Sequence, residues 1–260
     1  MRSSYPFLDS DRPVAFAHRG GAEDGRENTM TAFARAVALG YRYLETDVHA
    51  TADGVLVVFH DRDLARLTDR VGIIRNLPWR EVRRARVRGR EPVPLLEDVL
   101  GTWPDVRVNI DVKDVPAVGP LVEVIRRTNA VRRVCVGSFS DRRLAAVRAA
   151  LGPTLATSLG PRAAARLVLA SSPAPVGWLL TRLAPAGVPC AQVPPRLRGM
   201  PVITRRFLDA AHARGVVVHA WTVNDEAQMR RLLDLGVDGV MTDRLETLRD
   251  VLLERGQWPS

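Results

Sequence analysis

The chain has 260 residues, enough for one large domain, and its hydrophobic content of 46% allows a sizeable core. Its net charge of +9 rests on 38 basic residues, of which only Lys113 is a lysine. We interpret this arginine excess as a compositional bias rather than as a nucleic-acid signal. The cysteine count of 2 excludes a disulfide framework and a cysteine-rich metal site, so we predict that Cys135 and Cys190 are reduced core thiols.

Membrane insertion and export have no signal in the sequence. No apolar run approaches the ~20 residues that a spanning helix needs, and the segment from Met1 to Pro13 lacks the apolar core of a secretory signal. We therefore expect a soluble, cytoplasmic protein. The densest basic cluster lies between Arg80 and Arg90 and has no interleaved aromatic residues, so we expect no nucleic-acid partner. Peripheral contact with an anionic membrane is compatible with this cluster.

The first predicted strand, Val14 to Ala17, ends at the sequence His18-Arg19-Gly20-Gly21. A helical pattern begins near Thr29, and either Asn28 or Thr29 is a suitable N-cap for it. A polar turn therefore separates the first strand from the first helix.

The second predicted strand carries two carboxylates. Glu45 and Asp47 are two residues apart, so on an extended strand their side chains point to the same face. The turn at Asp53-Gly54 and the apolar run that follows predict a hairpin. If residue 50 pairs with residue 55, position 60 falls opposite position 45, and His60 returns beside the two carboxylates.

Beyond the hairpin, a polar and arginine-rich stretch with one short helix around Trp79 leads into a regular alternation of strands and helices. The further strands are predicted at Arg107 to Lys113, Arg133 to Phe139, Thr154 to Leu159, Cys190 to Val193, Val216 to Trp221 and Val237 to Thr242. Eight strand and helix pairs in this length are typical of a (β/α)₈ barrel of the TIM type. We predict an α/β fold with one barrel domain over residues 1–260, its core at about 14–255, and a small hairpin and helical insertion after strand 2. A doubly wound open sheet is the alternative, because the same alternation fits it.

Unusual polar residues fall at the carboxyl ends of the predicted strands, where barrel enzymes place their active sites. The carboxylates Glu45, Asp47 and Asp111 cannot all stay ionised at one barrel mouth without compensation, and oxygen ligands of this kind suit Ca²⁺ or Mg²⁺. Such an ion together with Arg19 and Lys113 forms a site for an oxyanion, most plausibly phosphate. His18 and His60 lie where an acid and a base are needed. These site residues are His18, Arg19, Glu45, Asp47, His60, Asp111 and Lys113.

The remaining histidines receive structural interpretations. His49 shares the face of Glu45 and Asp47, and we expect it to form a hydrogen bond at the rim of the site. His219 is expected to be a satisfied core histidine, and His212 a surface residue on a helix.

In these residues and their order, the chain resembles the glycerophosphodiester phosphodiesterases. The resemblance spans roughly Val14 to Asp243 and rests on the AHRGG start, Glu27-Asn28-Thr29, Glu45-Thr46-Asp47, Asp53-Gly54, His60-Asp61, Asp111 and Lys113, Trp221-Thr222-Val223-Asn224 and the closing Gly236 to Asp243. It implies a (β/α)₈ barrel that hydrolyses glycerophosphodiesters to glycerol 3-phosphate and an alcohol with a divalent metal.

The resemblance also implies roles for single residues. Glu45, Asp47 and Asp111 would hold the metal, and His18 and His60 would be the acid/base pair. Arg19 and Lys113 would contact the phosphate, Glu27 would lie near the metal or the glycerol, and Trp221 would form the wall on the glycerol side. The family usually has Glu where this chain has Asp111, which leaves the identity of the metal open. The residues with implied roles are therefore His18, Arg19, Glu27, Glu45, Asp47, His60, Asp111, Lys113 and Trp221.

Two other functions are consistent with the sequence. A lysophospholipase D-like activity would place an acyl chain near Trp178 and an anionic bilayer against Arg80 to Arg90. A catalytically silent barrel would bind phosphodiesters without cleaving them.

Overall fold

A sheet of parallel strands lies at the centre of the computed structural model, which describes residues 5–22, 25–171 and 188–258. The strands in chain order are β1 (Val14–Ala17), β2 (Tyr43–Ala50), β3 (Leu56–Val58), β4 (Arg86–Val87), β5 (Glu91–Pro92), β6 (Arg107–Val112), β7 (Val134–Gly137), β8 (Ala156–Thr157), β9 (Cys190–Val193), β10 (Arg196–Leu197), β11 (Met200–Pro201), β12 (Val217–Ala220) and β13 (Gly239–Thr242). Eight of them follow one another in the order β8-β7-β6-β2-β1-β13-β12-β9. The two ends of this sheet meet through an isolated parallel bridge between Ser158 and Cys190. The predicted (β/α)₈ barrel is confirmed, with this nearly closed joint between β8 and β9.

Helices form the outer layer of the barrel. They are α1 (Met30–Ala38), α2 (Trp79–Val82), α3 (Leu96–Thr102), α4 (Val118–Arg127), α5 (Asp141–Leu151), α6 (Pro161–Ala170), α7 (Arg205–His212), α8 (Glu226–Leu235) and α9 (Leu245–Glu254). Thr29 is the N-cap of α1, because its hydroxyl accepts a hydrogen bond from the Ala32 amide at 3.2 Å. The main apolar core lies between these helices and the outward faces of the strands.

The amino-terminal end of the barrel is closed by the start of the chain. A turn of 3₁₀ helix at Pro6–Leu8 places Phe7 against the rings of Phe16 and Tyr43. The carbonyl oxygen of Phe7 accepts a hydrogen bond from the Tyr43 hydroxyl at 3.0 Å. The Sγ atoms of Cys135 and Cys190 lie 3.8 Å apart in the same cluster, and both thiols are free, as predicted.

An excursion between β2 and α3 has an apolar core of its own. It contains the antiparallel partner strand β3, the short helix α2 and the β4–β5 pair. Its buried residues are Val57, Phe59, Leu64, Leu67, Ile74, Val82, Ala85, Val87 and Val93. This core gives the excursion a fixed shape beside the carboxyl end of β2.

The predicted register of the β2–β3 hairpin was wrong by one residue. Ala50 pairs with Leu56 rather than with residue 55. Thr51 explains the difference: its hydroxyl donates to Asp53 Oδ1 at 2.6 Å and accepts from the Val55 amide at 3.0 Å, so the loop keeps one more residue. The chain still returns to the end of β2.

His219 is a buried histidine inside the barrel, as predicted. Its side chain is on β12, only 1% of its surface is exposed, and its ring centroid lies 4.8 Å from that of Phe16. Burial lowers the pKa of His219 to about 4, so the folded protein holds this ring neutral.

We expect His219 to make the protein less stable as the pH falls. The histidine pKa is 6.5 in its ordinary state and about 4 in the fold, so the unfolded chain binds more protons between these values. As the pH is lowered from 6.5 to about 4, the free energy of unfolding should therefore decrease, by at most about 3 kcal/mol. Urea unfolding of the wild type and of His219→Phe near both ends of the window measures this slope. His219→Phe should lose most of this pH dependence. If the phenylalanine ring does not pack in place of the imidazole, His219→Gln is the substitute variant. An equal slope in both proteins would assign the acid sensitivity to other groups.

Candidate active site

The carboxyl ends of three neighbouring strands bring the predicted polar residues to one mouth of the barrel. β1 pairs with β2, and β2 pairs with β6 in a register that sets Asp47 directly beside Asp111. The chain leaves β1 at His18, whose Nε2 atom lies 3.7 Å from Glu45 Oε2. The site is therefore built from strand ends, which are rigid elements of the fold.

His18 is held by an aspartate from the last strand. Its Nδ1 atom donates to Asp243 Oδ1 at 2.7 Å, because an ionised carboxylate can only accept. Asn224 fixes that carboxylate by donating from Nδ2 to Asp243 Oδ2 at 2.7 Å. Burial acts to lower the pKa of His18, but the charge of Glu45 and the contact with Asp243 outweigh it, and the net shift is upward. Nε2 is left as the atom that faces the site.

His60 has the same arrangement with different residues. Its Nδ1 atom lies 2.6 Å from Asp61 Oδ1, and Asp61 Oδ2 in turn accepts from Arg66 Nε at 2.5 Å. Burial acts to raise the pKa of Asp61, but the hydrogen bonds from Arg66 and His60 outweigh it and bring the pKa to about 2. The pKa of His60 is lowered, chiefly by burial. Both histidines thus have an aspartate on Nδ1, and neither Nε2 forms a hydrogen bond with the described residues.

Arg19 links three carboxylates at the end of β1. Its amide donates to Glu45 Oε2 at 3.2 Å, and its Nη1 atom donates to Glu27 Oε1 at 2.9 Å. Its Nε atom lies 3.3 Å from Asp47 Oδ2. Arg19 has a φ of 52°, a left-handed conformation that is uncommon outside glycine and typical of functional sites.

Lys113, the single lysine, bridges the two neighbouring strands. Its Nζ atom lies 2.7 Å from Asp47 Oδ1 and 2.7 Å from Asp111 Oδ2. Burial acts to raise the pKa of Asp47, but Lys113 and Arg19 outweigh it and the net shift is downward. A compact ammonium group fits between two oxygens of adjacent strands in a way that a planar guanidinium does not.

Two of the acids at this mouth are only partly compensated. Burial, with the nearby charge of Asp47, raises the pKa of Glu45 to about 7. Asp111 Oδ1 is buried and has no hydrogen-bond partner. An added cation would stabilise both oxygens, so the donor chemistry fits a hard divalent ion.

The predicted metal set is not gathered into a finished site. Across residues 5–22, 25–171 and 188–258, no group of three or more His, Cys, Asp or Glu side chains is placed to hold a metal ion. The ammonium group of Lys113 lies between Asp47 and Asp111, while Glu45 faces His18 and Arg19. The assignment of these three carboxylates to a metal therefore stays a prediction.

Glu27 and Trp221 lie on different sides of the mouth. Glu27 is buried and accepts hydrogen bonds from Arg19 and from Arg66, whose Nη2 lies 2.8 Å from Glu27 Oε1. Trp221 follows β12, and its ring meets that of Phe139 edge to face at a centroid distance of 5.7 Å. Phe139 is 65% exposed, so this aromatic pair is open to solvent.

The sequence predicted no role in the site for four residues that contact it, which are Asn28, Asp61, Arg66 and Asp243. Three of them, all except Arg66, belong to the motifs that carry the family resemblance. Asp243, Asp61 and Arg66 orient the two histidines. Asn28 was proposed only as an N-cap, but it donates from Nδ2 to Asp47 Oδ2 at 3.0 Å and accepts from Thr46 Oγ1. Asp243 directly follows a predicted strand, and this position could have indicated that it lies at the site. Arg66 gave no signal among so many arginines.

The two remaining histidines match their predictions, although His49 is buried and only His212 is exposed. His49 contacts Asp114 through Nδ1 at 3.1 Å and the carbonyl oxygen of His60 through Nε2 at 3.1 Å, so it forms rim hydrogen bonds. His212 lies on α7, where its Nε2 atom is 2.7 Å from Asp238 Oδ2.

Comparisons with known proteins agree with this geometry. The model of the glycerophosphoryl diester phosphodiesterase family matches residues 18–247. "Probable glycerophosphodiester phosphodiesterase 2" of Mycobacterium tuberculosis (strain ATCC 25618 / H37Rv) is 44% identical over 258 residues, which are 97% of this chain and 95% of that protein.

Two solved structures have the same fold. A glycerophosphodiester phosphodiesterase from Agrobacterium tumefaciens str. C58 matches with a TM-score of 0.71 and 24% identity, over 91% of this chain and 99% of that one. An Oleispira antarctica phosphodiesterase in complex with the product sn-glycerol-3-phosphate matches with a TM-score of 0.75 and 21% identity, over 93% of this chain and 97% of that one.

Proposed function

The chain belongs to the glycerophosphoryl diester phosphodiesterase family, and we propose that it hydrolyses glycerophosphodiesters to sn-glycerol 3-phosphate and an alcohol. One observation carries this proposal. Two histidines, each held at Nδ1 by an aspartate, face a barrel mouth that also contains Arg19 and Lys113. A pair of proton-exchanging groups beside two cations suits the cleavage of a phosphodiester.

The histidines move the protons of the reaction. One of them takes the proton from the attacking oxygen, which belongs to water or to the adjacent hydroxyl of the substrate's glycerol. That oxygen forms a bond to phosphorus as the bond to the leaving alcohol breaks. The other histidine gives its proton to the departing alkoxide. Asp243 and Asp61 keep Nδ1 protonated and thereby direct Nε2 at the substrate.

The two cations neutralise the charge that grows on the non-bridging phosphate oxygens. Arg19 and Lys113 are held in place by carboxylates before substrate arrives, so they need little reorganisation during the reaction. Glu27 and Trp221 are proposed to border the glycerol moiety.

Glu45, Asp47 and Asp111 are proposed to hold a divalent cation, Ca²⁺ or Mg²⁺, as is general in this family. Such an ion supplies, when bound, Lewis-acid stabilisation of the phosphate charge. The partnerless Oδ1 of Asp111 and the raised pKa of Glu45 support this assignment. Asp111 has a shorter side chain than the Glu that the family usually has at this position, which bears on the choice between the two ions.

Partners and location stay predictions. No helix in the described ranges is both long and apolar enough to cross a membrane. We propose a cytoplasmic enzyme with small-molecule substrates, with peripheral membrane contact through Arg80 to Arg90 and no nucleic-acid partner. The segment around Trp178, considered for an acyl chain, lies outside the described residues.

Removal of divalent ions tests the proposal. We expect sn-glycerol 3-phosphate release from glycerophosphocholine or glycerophosphoethanolamine, its loss after chelation, and its recovery with Ca²⁺, Mg²⁺ or Mn²⁺. Cleavage of lysophosphatidylcholine with no release from either diester would favour the lysophospholipase D-like activity. No release from any of these compounds would favour a barrel that only binds phosphodiesters.

A further inference from the structure

A second cavity opens next to the proposed phosphate site. Its volume is about 210 Å³, and Lys113 lines it together with Arg62, Arg75 and Arg143. The remaining polar wall consists of His49 and Asp114. Pockets for drug-sized ligands have ~300 to 1,000 Å³, so this space suits a short polar group rather than an acyl chain.

The cavity is strongly positive. Arg62 and Arg75 form no ion pair with the described residues. Arg143 donates from Nη1 to the carbonyl oxygen of Lys113, while its Nε atom is buried and has no partner. A buried guanidinium nitrogen without a partner costs free energy unless an acceptor binds to it.

The one acid in this wall forms no ion pair with the arginines. Asp114 Oδ2 is bound to His49 Nδ1 at 3.1 Å, and Asp114 Oδ1 accepts from the Ala117 amide at 3.0 Å. Both of its oxygens are therefore engaged away from the guanidinium groups. An anion in the cavity would meet donors from Arg62, Arg75 and Arg143 at once.

The strand that leads to Lys113 lies opposite the strand that leads to Trp221 in the barrel. Lys113 follows β6 and Trp221 follows β12, and these strands are four places apart in both directions around the eight-stranded barrel. In-line displacement places the attacking and the leaving oxygen on opposite sides of phosphorus. When the attacking oxygen is the adjacent hydroxyl of a glycerol that lies near Trp221, the leaving alcohol points away from the β12 side and toward the cavity.

We propose that this cavity binds the leaving alcohol of the substrate and selects alcohols that carry a carboxylate or phosphate group. The inference rests on the proposed hydrolysis of glycerophosphodiesters, whose substrate class it narrows. Exposed Ile73 and Val115 at the edge of the cavity would contact the carbon atoms of such a group.

Two substrate pairs test the proposal, because each pair differs by one anionic group. Glycerophosphoserine has one carboxylate more than glycerophosphoethanolamine. Glycerophosphoinositol phosphate has one phosphate more than glycerophosphoinositol. We expect kcat/KM to be at least about tenfold higher for the anionic member of one pair or both, since hydrogen bonds to charged groups have this size. The pair with the larger ratio identifies the anion.

A double variant, Arg62→Gln with Arg75→Gln, should reduce that ratio to within about threefold of unity, chiefly by lowering kcat/KM for the anionic member of the pair. The matched control, Arg80→Gln with Arg84→Gln, removes the same charge from α2 and from the residue after its C-cap and should keep the ratio. Wild-type cleavage of all four compounds at equal rates would overturn the inference and leave the hydrolase intact. Loss of preference in the control as well would assign it to overall charge, and cleavage of none of the four would remove both proposals.

Discussion

Replacement of either histidine with alanine is expected to lower kcat by about 10²- to 10⁴-fold. His18 and His60 each expose Nε2 to the mouth, and no other described histidine does so: His49 is engaged at the rim, His219 is inside the barrel and His212 is on an outer helix. Because proton transfer at phosphorus needs both a donor and an acceptor, neither histidine can substitute for the other.

A substrate with a good leaving group separates the two roles. A p-nitrophenolate ion departs without a proton, so the variant that lacks the acid should recover most of its rate with a p-nitrophenyl ester of glycerol phosphate, and the variant that lacks the base should not. We expect recovery for His60→Ala, because His60 adjoins the wall of the cavity for the leaving alcohol through His49. A raised pKa also makes His18 the stronger base, and a lowered pKa makes His60 the stronger acid.

Turnover of the natural diester by both variants and by His212→Ala measures the effect. His212→Ala is the control, because it removes an exposed histidine from α7 and should retain full activity. If His18→Ala and His60→Ala both keep more than about a third of the rate, acid/base catalysis by this pair is excluded. Recovery of His18→Ala instead would reverse the two roles and would place the leaving alcohol on the side of β1.

The second large effect is expected at Lys113. Lys113→Ala removes a cation that touches buried Asp47, half-buried Asp111 and, in the proposed reaction, the phosphate, so kcat should fall by about 10²- to 10³-fold. Lys113→Arg should recover only a small part of this, because its planar fork does not fit where Nζ lies 2.7 Å from both Asp47 and Asp111.

A charge-balanced variant distinguishes catalysis from support of the fold. Lys113→Ala leaves Asp47 buried without its partner, which costs about 3 to 5 kcal/mol of stability in comparable pairs. Lys113→Met combined with Asp47→Asn removes both charges of the buried pair, so it should regain much of that stability in urea unfolding but none of the rate. Recovery of the rate along with the stability would show that Lys113 only supports its neighbours.

The barrel could be predicted from the sequence because strands and helices alternate, and the spacing of apolar residues along the chain changes clearly between them. The candidate site followed from one further rule, that polar residues at the carboxyl ends of parallel strands meet. Glu45 and Asp111 illustrate it: they come from neighbouring strands and lie far apart in sequence.

Local details were harder to predict, since they depend on side-chain hydrogen bonds that no periodicity reports. Thr51 shifted the hairpin register by one residue through its contacts with Asp53 and Val55. Asn28 stood in a quoted motif, yet only the fold shows that it binds Asp47 rather than capping α1. Arg66 could not be singled out by composition in a chain with so many arginines.

The joint between β8 and β9 bears on how the barrel moves. β2 and β6 are paired over six consecutive residues, whereas the described residues at this joint are linked by the bridge of Ser158 with Cys190 and by a hydrogen bond from the Leu159 amide to the Cys190 carbonyl at 2.8 Å. Local opening takes the path with the fewest interactions to break. Among the described residues this joint therefore has fewer backbone interactions than the β2–β6 pair, and thermal fluctuations should separate β8 from β9 at a lower free energy than β2 from β6.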